Sequence, residues 1–88
     1  MPSAARPKRE QRLSTEAQLV ELLRQRRKAR GLSQRQVAGK LGVTQARLSE
    51  LESGRAHITL ERLIALASLL DLEVVLRDRP SDAAAAEW

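Results

Sequence analysis

The sequence contains no cysteine, phenylalanine or tyrosine, and it has one histidine and one tryptophan in 88 residues. Without cysteine, the chain can form no disulfide, thiolate metal site or thiol nucleophile. No apolar run approaches the roughly 18 residues needed to span a bilayer. The basic N-terminus also lacks the apolar core of a signal peptide. These absences predict a soluble, cytoplasmic protein that binds neither a metal nor a cofactor.

Catalytic signals are equally scarce. His57 stands alone in a loop before Ile58, where a histidine is usually solvated. The stretch GLSQRQVAGKLG contains the Gly39-Lys40 pair, but the glycine that a phosphate loop requires five residues earlier is Gln34. The sequence therefore predicts that the protein is not an enzyme.

Charge is divided unevenly along a chain that is long enough for one small domain. Residues 1–55 contain thirteen Lys/Arg and five Asp/Glu, a net charge of +8, whereas residues 56–88 carry a net charge of −3. A basic first half with a mildly acidic second half favours a polyanion as one partner and a different partner elsewhere. A solvated basic face without a partner is the alternative interpretation of the charge run.

Four segments place apolar residues at helical spacing, and each follows a Ser or Thr that can cap a helix. In the first two segments, a Gln three residues after the cap completes a capping-box pattern. The predicted helices follow Thr15, Ser33, Thr44 and Thr59 and end near Ala29, Gly42, Gly54 and Leu70. The positions predicted to be buried include Leu19, Leu22, Leu23, Val37, Ala38, Leu41, Leu48, Leu51, Leu63, Ile64, Ala67 and Leu70.

The period then changes to two in LEVVLRD, which predicts a strand over residues 72–78. One strand cannot satisfy its own backbone groups, and its simplest partner is the same strand of a second copy. We therefore expect a flexible basic arm (1–13), a DNA-binding domain (14–71), a dimerisation strand (72–78) and a flexible tail (79–88). The strand residues are Leu72, Val74, Val75 and Leu76.

The stretch QRQVAGKLGVTQARLSELES, residues 34–53, has the pattern of a helix-turn-helix. Ala38 is small where the two helices must cross, and Gly42 can adopt the positive φ of the turn. The second of these helices places small and polar residues opposite its apolar side. Gln45 can pair with adenine, and Ala46 can contact a thymine methyl group in the major groove. A generic two-helix hairpin is the structural alternative.

The longer stretch LSQRQVAGKLGVTQARLSELESGR resembles the Cro and phage-repressor helix-turn-helix, with Gln34 and Gln45 opening its two helices. The resemblance implies a lambda-repressor-like, all-α domain of four to five helices, to which the C-terminal strand adds dimer pairing. It also implies that Arg27 pairs with Glu52 beneath the recognition helix. The expected base-reading residues are Arg35, Gln45, Ala46, Ser49 and Glu50. The expected phosphate-contacting residues are Arg27, Gln34, Thr44, Arg47 and Arg55.

A repressor-type domain followed by a short strand, a small tail and a terminal Glu-Trp is similar to the HipB antitoxins. The resemblance implies an inverted-repeat operator, a homodimer and a HipA-like Ser/Thr kinase toxin as partner. It also implies that Trp88, the sole aromatic residue, anchors the tail on that toxin. Thr44, where the family can have a DNA-contacting lysine, and the longer basic arm depart from the family pattern.

Three functions share this fold. The first is a HipA–HipB type antitoxin that neutralises its toxin and represses its own operon. The second is a stand-alone dimeric transcriptional repressor, and the third is an antitoxin for an unrelated toxin. The alternative interpretation of Trp88 is that it stands at the terminus by chance and has no partner, or that it packs on its own domain.

Overall fold

A computed structural model describes residues 10–79, which form four α-helices. Helix α1 spans Glu16–Ala29, α2 spans Gln34–Leu41, α3 spans Gln45–Glu52 and α4 spans Leu60–Leu69. Among these residues no strand forms, and no helix is long and apolar enough to cross a membrane. The fold is therefore the all-helical, four-helix form of the helix-turn-helix domain.

All four predicted N-caps are confirmed, because each helix begins where a hydroxyl oxygen accepts a backbone N–H of its first turn. Both predicted capping boxes, Thr15 with Gln18 and Ser33 with Gln36, are also present. Gly42 ends α2 in the left-handed region with φ of 82°. Helix α4 ends differently, since Asp71 adopts φ of 64° without being a glycine.

The core lies where α2 packs against both α3 and α4, while α1 packs against α3. Leu48 of α3 and Leu70, the residue after α4, have no solvent exposure at all. The buried cluster consists of Leu23, Val37, Ala38, Leu41, Leu48, Leu66 and Leu70. This arrangement fixes the helix-turn-helix pair, α2 and α3, from the inside.

The predicted burial is wrong at Ile64, which is 53% exposed. Leu63, Leu66, Ala67 and Leu70 follow the i, i+3, i+4, i+7 spacing of one helical face. Ile64 lies about 100° around the helix from Leu63 and falls outside that face. Leu66, which the prediction omitted, takes the buried position instead.

Helix α1 shows a smaller difference of the same kind. Leu23 is buried as predicted, but Leu19 and Leu22 are half-buried. The other buried positions of α1 are Val20 and Arg27. The face of α1 that meets the core is therefore rotated from the predicted one.

The chain after α4 is held at its start and exposed beyond it. Leu72 packs on the core, and its N–H donates to the carbonyl of Ala67 at 2.8 Å. Val74, Val75 and Leu76 are exposed, Leu76 almost completely. Residues 73–79 form no backbone hydrogen bond with any other described residue. The strand pairing thus stays a prediction.

Residues 1–9 and 80–88, with most of the predicted arm and tail and with Trp88, lie outside the described residues.

Candidate nucleic-acid interface

Helix α3 separates an apolar buried side from a small, polar outer side. Leu48 and Leu51 are buried, whereas Gln45 and Ala46 are exposed and Ser49 is half-buried. Within residues 10–79 the Gln45 side chain makes no hydrogen bond, so its amide is free to pair with a base edge. The outer side of α3 has the size and chemistry of a major-groove surface.

The turn between α2 and α3 sets the angle at which α3 is presented. The N–H groups of Gly42 and Val43 both donate to the carbonyl of Ala38, at 2.9 and 3.0 Å. Ala38 itself is 2% exposed, so a larger side chain there would push the two helices apart. The predicted roles of Ala38 at the crossing and of Gly42 at the turn are confirmed.

Beneath α3 lies a buried ion pair, which confirms the predicted contact of Arg27 with Glu52. The Nε and Nη2 atoms of Arg27 donate to the two carboxylate oxygens of Glu52, at 2.7 and 3.0 Å. Nη1 of Arg27 donates to the carbonyl of Leu32 at 2.8 Å. Both charged side chains are less than 10% exposed. Because its guanidinium is buried and engaged, Arg27 does not fit the phosphate-contacting role that the sequence indicated.

Gln34, the first residue of α2, joins the same pair. Its Nε2 donates to Oε1 of Glu52 at 3.0 Å. The sequence indicated a surface glutamine for a DNA phosphate, and this internal contact was missed. The capping pattern draws attention to Ser33 and Gln36, and no local spacing reveals a partner 18 residues away in the chain.

The remaining predicted cations lie on the surface. Arg47 donates to Glu50 at 3.2 Å, so these two predicted DNA-contacting side chains engage each other within α3. Thr44 accepts the N–H of Arg47, which leaves its own O–H free to donate. Arg35 and Arg55 are exposed and form no ion pair with another residue of the 10–79 segment. Both side chains are therefore available for the DNA contacts that the sequence predicts, Arg35 with a base and Arg55 with a phosphate.

A second region of interest lies at the start of α1 and α4. Nδ1 of His57 is 2.9 and 3.0 Å from the carboxylate oxygens of Glu16, which links the loop before α4 to α1. Beside this contact an open groove of about 600 Å³ is lined by apolar residues that include Leu13, Leu19, Leu60 and Leu63. No local pattern in the sequence predicts this groove, because its walls come from residues 13–19 and 57–63, which are at least 38 residues apart in the chain.

Comparison with known proteins agrees with this geometry. The Helix-turn-helix family, HTH_3, matches residues 23–76, which is more than half of the chain. The chain belongs to this family. Residues 23–76 are thus a DNA-binding domain of the kind found in transcriptional regulators.

One similar protein is a transcriptional regulator. The chain is 38% identical over 58 residues to the "Uncharacterized HTH-type transcriptional regulator y4dL" of Sinorhizobium fredii (strain NBRC 101917 / NGR234). That match covers 66% of this chain and 30% of the relative, so the chain spans less than a third of that protein.

Solved structures of HipB match over more of the chain. A chain in the "Structure of HipA-HipB-O2-O3 complex" superposes with a TM-score of 0.71 at 27% identity, and a chain in the "HipB-O4 20mer complex" with a TM-score of 0.70 at 27% identity. Each match covers 81% of this chain and 100% of the other. The predicted resemblance to HipB is confirmed.

Proposed function

We propose that this protein is the DNA-binding antitoxin of a HipA–HipB type module, which represses its own operon and neutralises a Ser/Thr kinase toxin. The observation that carries the proposal is the fold match with the HipB chain of a HipA–HipB–DNA complex, over the whole of that chain. The polar outer side of α3 supports the DNA half of the proposal. Confinement to the cytoplasm, where both partners would meet it, is part of the same proposal.

In the proposed DNA complex, α3 enters the major groove with its N-terminal end towards the bases. Gln45, Ala46 and Ser49 read base edges, and Arg35 extends the reading surface from α2. Thr44, Arg47 and Arg55, together with Gln34 at the start of α2, contact phosphates. Glu50 reaches a base when its contact with Arg47 opens, which leaves the Arg47 guanidinium for the backbone.

The active form is proposed to be a homodimer on an inverted repeat, with recognition helices about 34 Å apart. Support comes from Val74, Val75 and Leu76, which are exposed apolar residues in a segment, 73–79, whose backbone makes no hydrogen bond with another described residue. Strand pairing between two copies would satisfy those backbone groups. Leu60 and Ile64 of α4, also exposed, offer further apolar surface for the second copy.

The toxin contact is assigned to Trp88 in the tail, outside the described residues. Burying a tryptophan removes about 150–250 Å² of surface from water, enough to anchor a few residues against the cost of ordering them. Since Trp88 is the sole tryptophan, indole fluorescence reports its surroundings directly. We expect red-shifted, readily quenched emission in the free protein and a blue shift when a HipA-like kinase is added.

The decisive experiment uses the kinase-like reading frame that the proposal expects beside this gene. Its purified product should bind the 88-residue chain and lose kinase activity on binding. Trp88→Ala should weaken that binding by about 2 kcal/mol or more, with operator affinity and melting unchanged. Emission that is already blue in the free protein, together with earlier melting of Trp88→Ala, would place Trp88 in the domain's own core.

A stand-alone repressor is the second candidate, favoured by the similarity to an HTH-type transcriptional regulator. It predicts repression of a promoter by this chain alone and no kinase-like neighbouring gene. Both candidates expect salt-sensitive operator binding, with a log–log slope of about −5 to −9 for six to ten phosphate contacts. A flat salt response would contradict both.

A further inference from the structure

The Arg27–Glu52 pair is connected to the surface by one hydrogen bond. Oε1 of Glu52 accepts from Nη2 of Arg27 and from Nε2 of Gln34, both at 3.0 Å. Glu52 is the last residue of α3, and Gln34 is the first residue of α2. One carboxylate therefore ties the end of the recognition helix to the start of the helix before it.

A carboxylate partner fixes which end of the glutamine amide faces inward. Ionised Glu52 can only accept hydrogen bonds, so the Gln34 amide must present its nitrogen to it. The second N–H on Nε2 then has no partner in the described part of the chain. Without Glu52, the three side-chain torsions of Gln34 would be free, and no particular orientation of the amide would be favoured.

The charge of Glu52 would by itself oppose a phosphate near Gln34. Arg27 prevents this, because its two-pronged contact neutralises the carboxylate where it is buried. Arg27 is held in turn by the carbonyl of Leu32, in the loop that leads to α2. The network thus supplies orientation to Gln34 without adding net negative charge beneath it.

We propose that Glu52 is a positioning residue for DNA binding, which acts through Gln34 and touches no DNA itself. It orients the Gln34 amide so that its second N–H can donate to a backbone phosphate. Arg27 neutralises the Glu52 carboxylate, so that the carboxylate does not repel that phosphate. The inference rests on the proposed placement of Gln34 at a phosphate. It adds that the residue responsible for this contact is buried at the far end of α3.

The test compares Glu52→Gln with Gln34→Ala in the 88-residue chain, on an operator selected by the protein from random duplex DNA. Glu61→Gln is the matched control, since it makes the same charge change at an exposed carboxylate of α4. Removing negative charge alone strengthens DNA binding. Glu52→Gln should instead weaken operator binding about tenfold, the loss of one hydrogen bond. Glu61→Gln should leave operator binding equal or tighter.

A set of operators, each with one phosphate replaced by a neutral methylphosphonate, separates positioning from simple stability. The wild-type chain should lose affinity at one phosphate that Gln34→Ala no longer senses, and Glu52→Gln should have lost the same sensitivity. If Gln34→Ala senses every phosphate as the wild type does, the placement of Gln34 is wrong and the positioning role falls with it. If Gln34→Ala loses the sensitivity and Glu52→Gln keeps it, the positioning role alone is overturned.

A measurement on the wild-type chain covers the case in which Glu52→Gln fails to fold. The side-chain NH₂ signals of Gln34, assigned by their absence in Gln34→Ala, should show one proton shifted and protected from exchange. Those of exposed Gln45 should show neither effect. Gln34 signals that match those of Gln45 would overturn the inference.

Discussion

In two parts of this small domain, contacts within one chain do different amounts of the work: they pair the buried polar groups of the first and leave the apolar side chains of the second exposed. In the polar network, formed by Arg27, Glu52, Gln34 and the Leu32 carbonyl, the buried charges are paired within one chain, and the second N–H of the Gln34 amide has no partner among the described residues. Every buried side-chain nitrogen or oxygen in the described residues has a partner. The exposed apolar group, formed by Leu60, Ile64, Val74, Val75 and Leu76, is open to water, at exposures from 49% to 96%.

The two proposed functions therefore depend on one chain to different extents. The elements proposed to meet DNA are positioned by contacts within one chain, so the DNA surface is preformed. The exposed apolar residues of α4 and of the segment after it are the ones that the proposed second copy would cover. The proposed DNA surface is therefore ordered by contacts within one chain, whereas the proposed dimer surface would be buried only by a second copy.

The largest expected effect comes from breaking the polar network. Arg27→Met leaves the Glu52 carboxylate buried without its counter-ion, which should destabilise the fold by about 3–5 kcal/mol. Urea unfolding of Arg27→Met, Glu52→Gln and the double variant measures the coupling. We expect the double variant to lose clearly less than the sum of the two single variants. Strictly additive losses would mean that the 2.7 and 3.0 Å contacts contribute no interaction energy.

The next prediction tests the exposed apolar group against the core. Leu66→Ala, at a position 3% exposed, should cost about 2–5 kcal/mol of stability at any protein concentration. Ile64→Ala should leave the stability of one chain nearly unchanged and shift dimer dissociation to higher concentration. Sedimentation and unfolding at two protein concentrations distinguish these outcomes.

A charge in the segment after α4 should act more strongly on the proposed dimer. Val74→Asp places a carboxylate on the apolar face of the proposed strand, so sedimentation should show monomers and operator binding should weaken. A fully dimeric Val74→Asp would exclude residues 72–78 as the interface.

The sequence predicts features that depend on residues close together in the chain, and it does not predict contacts between residues far apart. The helix starts were predictable, because caps such as Thr15 with Gln18 depend on residues three positions apart. The Gln34–Glu52 bond was not, because it joins residues 18 apart whose meeting depends on helix packing. Ile64 was misplaced, because apolar type alone does not distinguish a helix residue that faces the core from one that faces solvent.

A smaller effect should come from the DNA-facing side of α3. Gln45→Ala removes an exposed amide that makes no side-chain hydrogen bond within residues 10–79, so folding should be unaffected while operator binding weakens by about 1–3 kcal/mol. Binding to random DNA should change little. Gln36→Ala is the matched control, since Gln36 is also an exposed glutamine but completes a capping box in α2. Equal losses on operator and random DNA would remove Gln45 from the base-reading set.

The smallest effect sharpens the contrast between the buried pair and an exposed one on the same helix. Arg24 donates to both carboxylate oxygens of Glu21, at 3.2 and 3.3 Å, and Gln25 adds a bond at 2.7 Å. These hydrogen bonds, from Arg24 first and Gln25 second, lower the pKa of Glu21 from its ordinary value of 4.5. A lowered carboxyl pKa stabilises the fold above the unfolded pKa, and this stabilisation is lost as pH falls through the folded pKa.

Arg24→Ala removes the larger of the two contributions and should therefore raise the pKa of Glu21, as an NMR titration of its side-chain carboxyl would measure. Because both partners are exposed, melting above pH 6 should barely change, in contrast to Arg27→Met. A pKa of Glu21 that does not move in Arg24→Ala would mean that Gln25 alone holds the carboxylate.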